Sequence, residues 1–219
     1  MCGRFTLTVS AETLMETFQL SSYIDGYTPR YNIAPGQNIP IVREEDGKRH
    51  CSFYKWGLIP FWAKEIKIGY KMINARAETI DQKPAYRNAF LKRRCLIPAN
   101  GFYEWKEIDG RKQPFRFTLP DNSLFAFPGI WETWTSPDNN SVYSCSIITT
   151  AANEYIQHIH DRMPVILSSA PDYNTWLLSD NPAVLKDLLQ PYKGEITAYE
   201  VSQQVNSAKI DNPSLIEKI

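Results

Sequence analysis

Residues 4–9 alternate polar and apolar side chains with a period of two, which predicts a strand with one buried face. Directly after it, Ala11, Leu14, Met15 and Phe18 recur at i, i+3, i+4 and i+7, the stripe of an amphipathic helix. Residues 25–37 carry Gly, Pro and Asn and read as an ordered loop, followed by strand-like runs over 39–43 and 52–56. A second helix is expected to begin at Pro84, a residue suited to a first turn, with Tyr86, Ala89 and Phe90 facing inward. Residues 95–98 and 101–107 predict strands, and Asp109-Gly110 predicts a tight hairpin into a strand over 114–119. Apolar strands are expected over 124–131 and 142–150, parted by a polar loop at 136–141, with a further run at 163–167. Helical patterns occupy 171–178 and 182–189, and a last strand is expected over 196–201. The helices are interspersed among strands instead of alternating with them. That argues for an α+β fold with a mainly antiparallel, barrel-like sheet and peripheral helices. With no repeat, low-complexity tract or linker, one domain over 1–219 is expected.

Composition narrows the possible partners. Lys plus Arg and Asp plus Glu both number 24, so no global basic field announces a polyanion and any such site must be a local patch. No run of about 20 apolar residues is present, and the N-terminus lacks a signal-peptide stretch, so a cytoplasmic protein without a membrane partner is expected. In a reducing compartment Cys2, Cys51, Cys95 and Cys145, with no C-x-x-C pairing, are expected to stay unbridged. His50, His158 and His160 are too few and scattered to suggest a zinc site.

Cys2 changes the picture more than any other residue. It follows Met1, and aminopeptidases remove an initiator methionine in front of a small side chain, which would leave a cysteine at the mature N-terminus. Such a residue is a 1,2-aminothiol. Its amine condenses with an aldehyde to an imine, and its thiol closes on the imine carbon as a five-membered thiazolidine. Reference pKa values of about 8 for the amine and about 8.5 for the thiol keep a useful fraction of both nucleophiles near neutrality.

Three further strings embed reactive side chains among apolar or aromatic ones. In Asn74-Ala75-Arg76-Ala77-Glu78-Thr79 the polar residues alternate and could share one strand face, although Asn74 could equally cap a turn. Glu104 lies between Tyr103 and Trp105, where burial would raise its pKa and suit it to proton transfer; pairing with a lysine on a strand is the other option. His160 stands beside Asp161 and Arg162 and reads as an acid–base group or as a satisfied loop histidine. Phe61 and Trp62, just beyond a Gly and Pro turn, are core residues or a platform for stacking bases.

Together these strings resemble one family, the SRAP domain or SOS-response-associated peptidase family, whose members process abasic sites in single-stranded DNA. The resemblance is carried by Met1-Cys2-Gly3-Arg4-Phe5, Arg30-Tyr31-Asn32-Ile33-Ala34-Pro35-Gly36, Trp56-Gly57-Leu58-Ile59-Pro60-Phe61-Trp62, Asn74-Ala75-Arg76-Ala77-Glu78-Thr79, Gly101-Phe102-Tyr103-Glu104-Trp105 and Ile159-His160-Asp161-Arg162-Met163-Pro164, in family order across nearly the whole chain. It implies that Cys2 captures the ring-opened sugar aldehyde as a thiazolidine crosslink, after removal of Met1 by self-processing. It also implies that Asn74 orients the sugar and the N-terminal residue, that Asn32 shapes the pocket, and that Glu104 handles protons. His160 would serve β-elimination and crosslink reversal. By the same resemblance Arg4, Arg76 and Arg162 meet phosphates, Phe61 and Trp62 stack or wedge, and Thr149 lines the site. No metal or organic cofactor is implied, and a monomer is expected. The competing expectations are a thiol peptidase built on Cys2, Glu104 and His160, and a non-catalytic single-strand binder.

Overall fold

The computed structural model describes residues 2–219. The two opening patterns become β1 (Phe5–Leu7) and α1 (Ala11–Phe18). Ser10 caps α1 by accepting from the Thr13 N–H at 3.3 Å, and Gln19 ends it in a left-handed conformation. Within the stretch expected to be loop, Arg30–Ile33 forms a strand, β2, on the free edge of β1. No hydrophobic period marks it, because tertiary partners and not its own side-chain pattern hold it extended. β3 (Asn38–Glu45) and β4 (Lys48–Trp56) are a hairpin whose turn residues Asp46 and Gly47 both take positive φ, as a two-residue turn of this hand requires.

β5 (Asn74–Arg76) is followed by α2 (Arg87–Lys92). The helix starts three residues after the expected Pro84, because Gln82, Lys83 and Tyr86 spend their N–H groups on turn bonds to Thr79 and Lys83 carbonyls. β6 (Arg94–Ala99), β7 (Gly101–Ile108) and β8 (Arg111–Thr118) follow, the last two joined at Asp109-Gly110 as the sequence predicts. β9 (Phe125–Thr135) and β10 (Ser141–Ala151) extend past their expected ends, whereas β11 (Arg162–Pro164) is shorter. α3 (Ala170–Leu178), α4 (Pro182–Asp187) and β12 (Thr197–Glu200) complete the pattern.

β10, β4, β3, β6 and β9 pair in turn, and β9 pairs back onto β10, so these five strands close into a barrel. Only the β10–β4 contact in that ring is parallel. β12, β8, β7, β1 and β2 form a second, antiparallel sheet. The fold is thus α+β and mainly sheet, as expected. Aromatic packing joins the two parts. Phe5 of the open sheet meets Trp56 and Phe127 of the barrel edge-on at 5.3 and 5.7 Å, and Phe102 of the open sheet meets Phe127 edge-on at 6.2 Å. Each of these fully buried side chains contributes roughly 2–3 kcal/mol of burial. Among the described residues no helix is long and apolar enough to cross a membrane, and the four cysteines are free.

Candidate active site

The seam between barrel and open sheet collects residues that are far apart in sequence. β1 lies against β7, with Phe5 opposite Phe102 and the Tyr103 N–H donating to the Arg4 carbonyl at 2.9 Å; this brings Cys2 to the Glu104 side chain. β5 docks parallel on β10, with Asn74 opposite Ile147, and from there Asn74 donates its side-chain N–H to the Cys2 carbonyl at 2.9 Å. β11 pairs on the far end of β10, Arg162 opposite Ala151, and so holds the preceding His160 over the same place. His160 Nε2 stands 3.9 Å from Glu104 Oε2. Cys2, Asn74, Glu104 and His160, named from four separate strings, form one cluster.

Its electrostatics follow from burial. Glu104 is 2% exposed, and desolvation of the ionised form lifts its carboxyl from 4.5 to about 7. Cys2 is fully buried, and its thiol is raised first by that burial and then by the charge of Glu104, so sulfur is held as S–H. Burial also lowers His160, which leaves the ring neutral at neutral pH and the contact with Glu104 a polar one. The ring's Nδ1 lies 3.0 Å from the Arg162 nitrogen, 3.2 Å from the Arg162 carbonyl and 3.0 Å from Asp161 Oδ1, so the backbone turn and Asp161 orient the ring and leave Nε2 facing Glu104. Asn74 Oδ1 is buried and has no hydrogen-bond partner among the described residues. It is an acceptor left over in a cluster of proton-carrying groups.

The residues expected to meet a strand divide into contact surface and support. Phe61 and Trp62 are 59% and 50% exposed. Their loop is fixed by a close approach of two glycines: a Cβ on Gly57, at φ +131°, would sit 2.6 Å from the Gly69 carbonyl oxygen. Arg76 is exposed beside Trp62, and with Asn74, Met72, Lys83 and Tyr86 they border a cavity of about 460 Å3. Arg162 extends its guanidinium as a fork onto Glu78, at 2.6 and 3.0 Å, and also donates to the carbonyl and hydroxyl of Thr149. Thr149 is itself fully buried and acts from below, by aiming Arg162. Asn32 is likewise fully buried. It accepts from Arg4 at 2.7 Å and donates to the carbonyls of Val205, Ser207 and Ile210.

That last arrangement was invisible in the sequence. The C-terminal segment runs under the cluster in 3₁₀ turns, and the Val205 and Asn206 carbonyls accept from Arg4. Asp211 accepts from the Tyr31 and Asn32 N–H groups at 2.6 and 3.0 Å and pairs with Arg30. A lone Asp in a polar tail gives no periodic signal. Asp211→Ala would strand two backbone donors and a guanidinium, a cost of about 2 kcal/mol. In a chain of this size we expect a fall in melting temperature of about 4–8 °C, measured by thermal unfolding.

Comparison with known proteins bears on this arrangement. The sequence pattern of the SOS response associated peptidase family (SRAP) matches residues 1–208. The chain is 48% identical to "Abasic site processing protein YoqW" of Bacillus subtilis over 99% of both chains. It is 30% identical to "Abasic site processing protein HMCES" of Xenopus tropicalis, over 89% of this chain and 68% of that one. A solved structure of a protein from Bacteroides thetaiotaomicron superposes with a TM-score of 0.88 at 26% identity, covering all of both chains.

Proposed function

The chain belongs to the SOS response associated peptidase family, and from that premise we propose that it processes abasic sites in DNA by capturing them covalently on Cys2. Relatives that match over nearly the whole chain carry the name of abasic site processing proteins. The observation that carries the covalent step is the placement of Cys2. Its main chain is gripped by Asn74, and it lies beside a carboxyl that exchanges its proton near neutral pH.

The step requires Cys2 to be N-terminal. Removal of Met1 concerns a residue outside those described. The freed amine adds to C1′ of the ring-opened sugar to give a carbinolamine, and loss of water gives the imine. Glu104 donates a proton to the departing hydroxyl and later accepts one, a shuttle for which a pKa near 7 is suited. The Cys2 S–H then adds across the C=N bond; sulfur bonds to carbon and the proton ends on nitrogen, so a thiol that stays protonated is no obstacle. An imine that is not trapped loses a C2′ proton to a base, and the 3′ phosphate leaves with the C3′–O electron pair. His160, neutral beside Glu104, is the base we assign to that branch and to crosslink reversal.

Arg4, Arg76 and Arg162 hold phosphates, while Phe61 and Trp62 stack bases exposed by a bent single strand. A peptidase is a poorer fit, because a thiolate nucleophile needs a depressed pKa and burial moves Cys2 the other way. The test is a denaturing gel after incubation with an abasic single strand, run beside intact-mass measurement of the N-terminus. A chain whose mass begins at Cys2 should give a shifted band, stronger with single strand than with duplex. The same chain with an uncleaved N-terminal extension should bind and leave no adduct. A processed chain that forms no adduct overturns the proposal.

A further inference from the structure

Arg162 already carries an anion. Its Nη1 and Nη2 donate as a fork to the two Glu78 carboxylate oxygens, at 2.6 and 3.0 Å, and a phosphate would use the same pair of donors. The arginine side chain is 13% exposed and the glutamate 48%, so the carboxylate lies on the solvent side of the guanidinium, where a strand arrives. We propose that Glu78 is a stand-in for phosphate: it occupies Arg162 in the free protein, and a phosphate beside the abasic sugar displaces it. This rests on the reading that Arg162 meets DNA during capture at Cys2.

The other two arginines assigned to phosphate differ. Arg4 rests on neutral oxygens, those of Asn32, Val205 and Asn206, and Arg76 is exposed. Neither has a carboxylate within 4.0 Å among the described residues. They present a standing positive charge to an approaching strand, whereas the Arg162–Glu78 pair is neutral at long range. Burial alone would raise the Glu78 carboxyl, but the fork from Arg162 and the charges of Arg162 and Arg76 hold it below its ordinary range, so it is ionised near neutral pH. The exchange leaves Arg162 in place. Its Nη2 also donates to the Thr149 carbonyl at 2.7 Å and hydroxyl at 3.3 Å, and Thr149 is fully buried, so the guanidinium stays aimed when Glu78 swings out. Glu78 sits in the single 3₁₀ turn Ala77–Thr79 with its side chain half in water, and a pair of that exposure is held by a factor of only about 5. Glu78 thus acts through Arg162, as a positioning residue. Each strand that takes the arginine loses that factor, residence on undamaged DNA is shortened, and only the bond to Cys2 makes occupancy last.

The experiment measures non-covalent binding of the full chain to a single strand in which tetrahydrofuran, which has no aldehyde, replaces the abasic sugar. Glu78→Gln keeps the side-chain size and removes the charge; it should bind this strand about 5-fold more tightly than wild type. Glu78→Asp keeps the charge but is a methylene short of the fork, and it should bind more tightly too. A set of strands, each with a single neutral methylphosphonate linkage near the tetrahydrofuran, then locates the phosphate: its neutralisation weakens wild type and leaves Arg162→Gln unaffected. On that strand the Glu78→Gln gain should vanish, and on the others it should persist. Weaker or unchanged binding by Glu78→Gln would make Glu78 a support for Arg162 and overturn the stand-in. A gain of equal size on every strand, the mark of long-range charge alone, would overturn it as well. The capture reading is judged apart: wild type that binds the tetrahydrofuran strand yet forms no adduct with an aldehyde strand overturns that reading, whatever the Glu78 variants do.

Discussion

Replacing Cys2 by alanine is expected to abolish the denaturation-resistant adduct with abasic single-stranded DNA, leaving no band above background on the gel. Alanine keeps an N-terminal amine, so an imine still forms, but nothing closes on its carbon and water reverses it. The loss should therefore be confined to the covalent product. Binding should survive, because Arg4, Arg76 and Arg162 are unchanged. Cys2→Ser refines the test: its hydroxyl is a far weaker trap than sulfur, so the adduct should appear only when borohydride reduces the imine. The removed sulfur makes one weak hydrogen bond among the described residues, to the Arg4 carbonyl at 3.9 Å, and the substitutions are small, so the variants should melt close to the parent. A Cys2→Ala adduct as intense as that of wild type would rule out the thiazolidine.

The second large effect is expected at Glu104. Adduct formation needs a neutral amine, whose fraction rises toward pH 8. It also needs a protonated carboxyl, whose fraction falls above about pH 7. The rate for wild type should thus pass through a maximum between these values. Glutamine cannot carry the proton, so Glu104→Gln should slow formation by about 10²–10³-fold and remove the alkaline limb. Stability supplies an independent check. The carboxyl ionises near 4.5 when unfolded and near 7 when folded, so wild type loses stability as pH rises through that window. The glutamine variant should lose none there, and its melting temperature at pH 8 should exceed that of wild type. His160→Ala, by contrast, should spare adduct formation and impair strand cleavage and crosslink release, followed as separate time courses. Loss of the adduct in His160→Ala as complete as in Cys2→Ala, from a folded protein, would overturn this division of labour.

Much of the fold was legible because it is written in local periods. The i, i+3, i+4, i+7 stripe became α1, and the apolar runs on either side of Asp109-Gly110 became the β7–β8 hairpin. Where the structure departs from the local pattern, a tertiary partner decided. β2 has no apolar alternation and is extended because β1 pairs with it and Asp211 binds its N–H groups. The start of α2 is set by turn bonds to Thr79 and by Tyr86, whose hydroxyl donates to the Asn74 carbonyl.

The chemistry divides the same way. Reactive side chains set among small or aromatic neighbours mark themselves in one dimension, so Cys2, Asn74, Glu104 and His160 could be named before any geometry was known. Order along the chain could not say that Thr149 and Asn32 lie beneath the surface and aim Arg162 and Arg4, since burial is a property of the packed molecule. It could not show Glu78 forked onto Arg162, nor the tail carbonyls that hold Arg4. These supports act through single directed hydrogen bonds between distant residues, which leave no period or motif behind. Residue identity alone determined which groups can react with an aldehyde; the closing of the barrel against the open sheet decided which of them meet, how dry they are and where their protons lie.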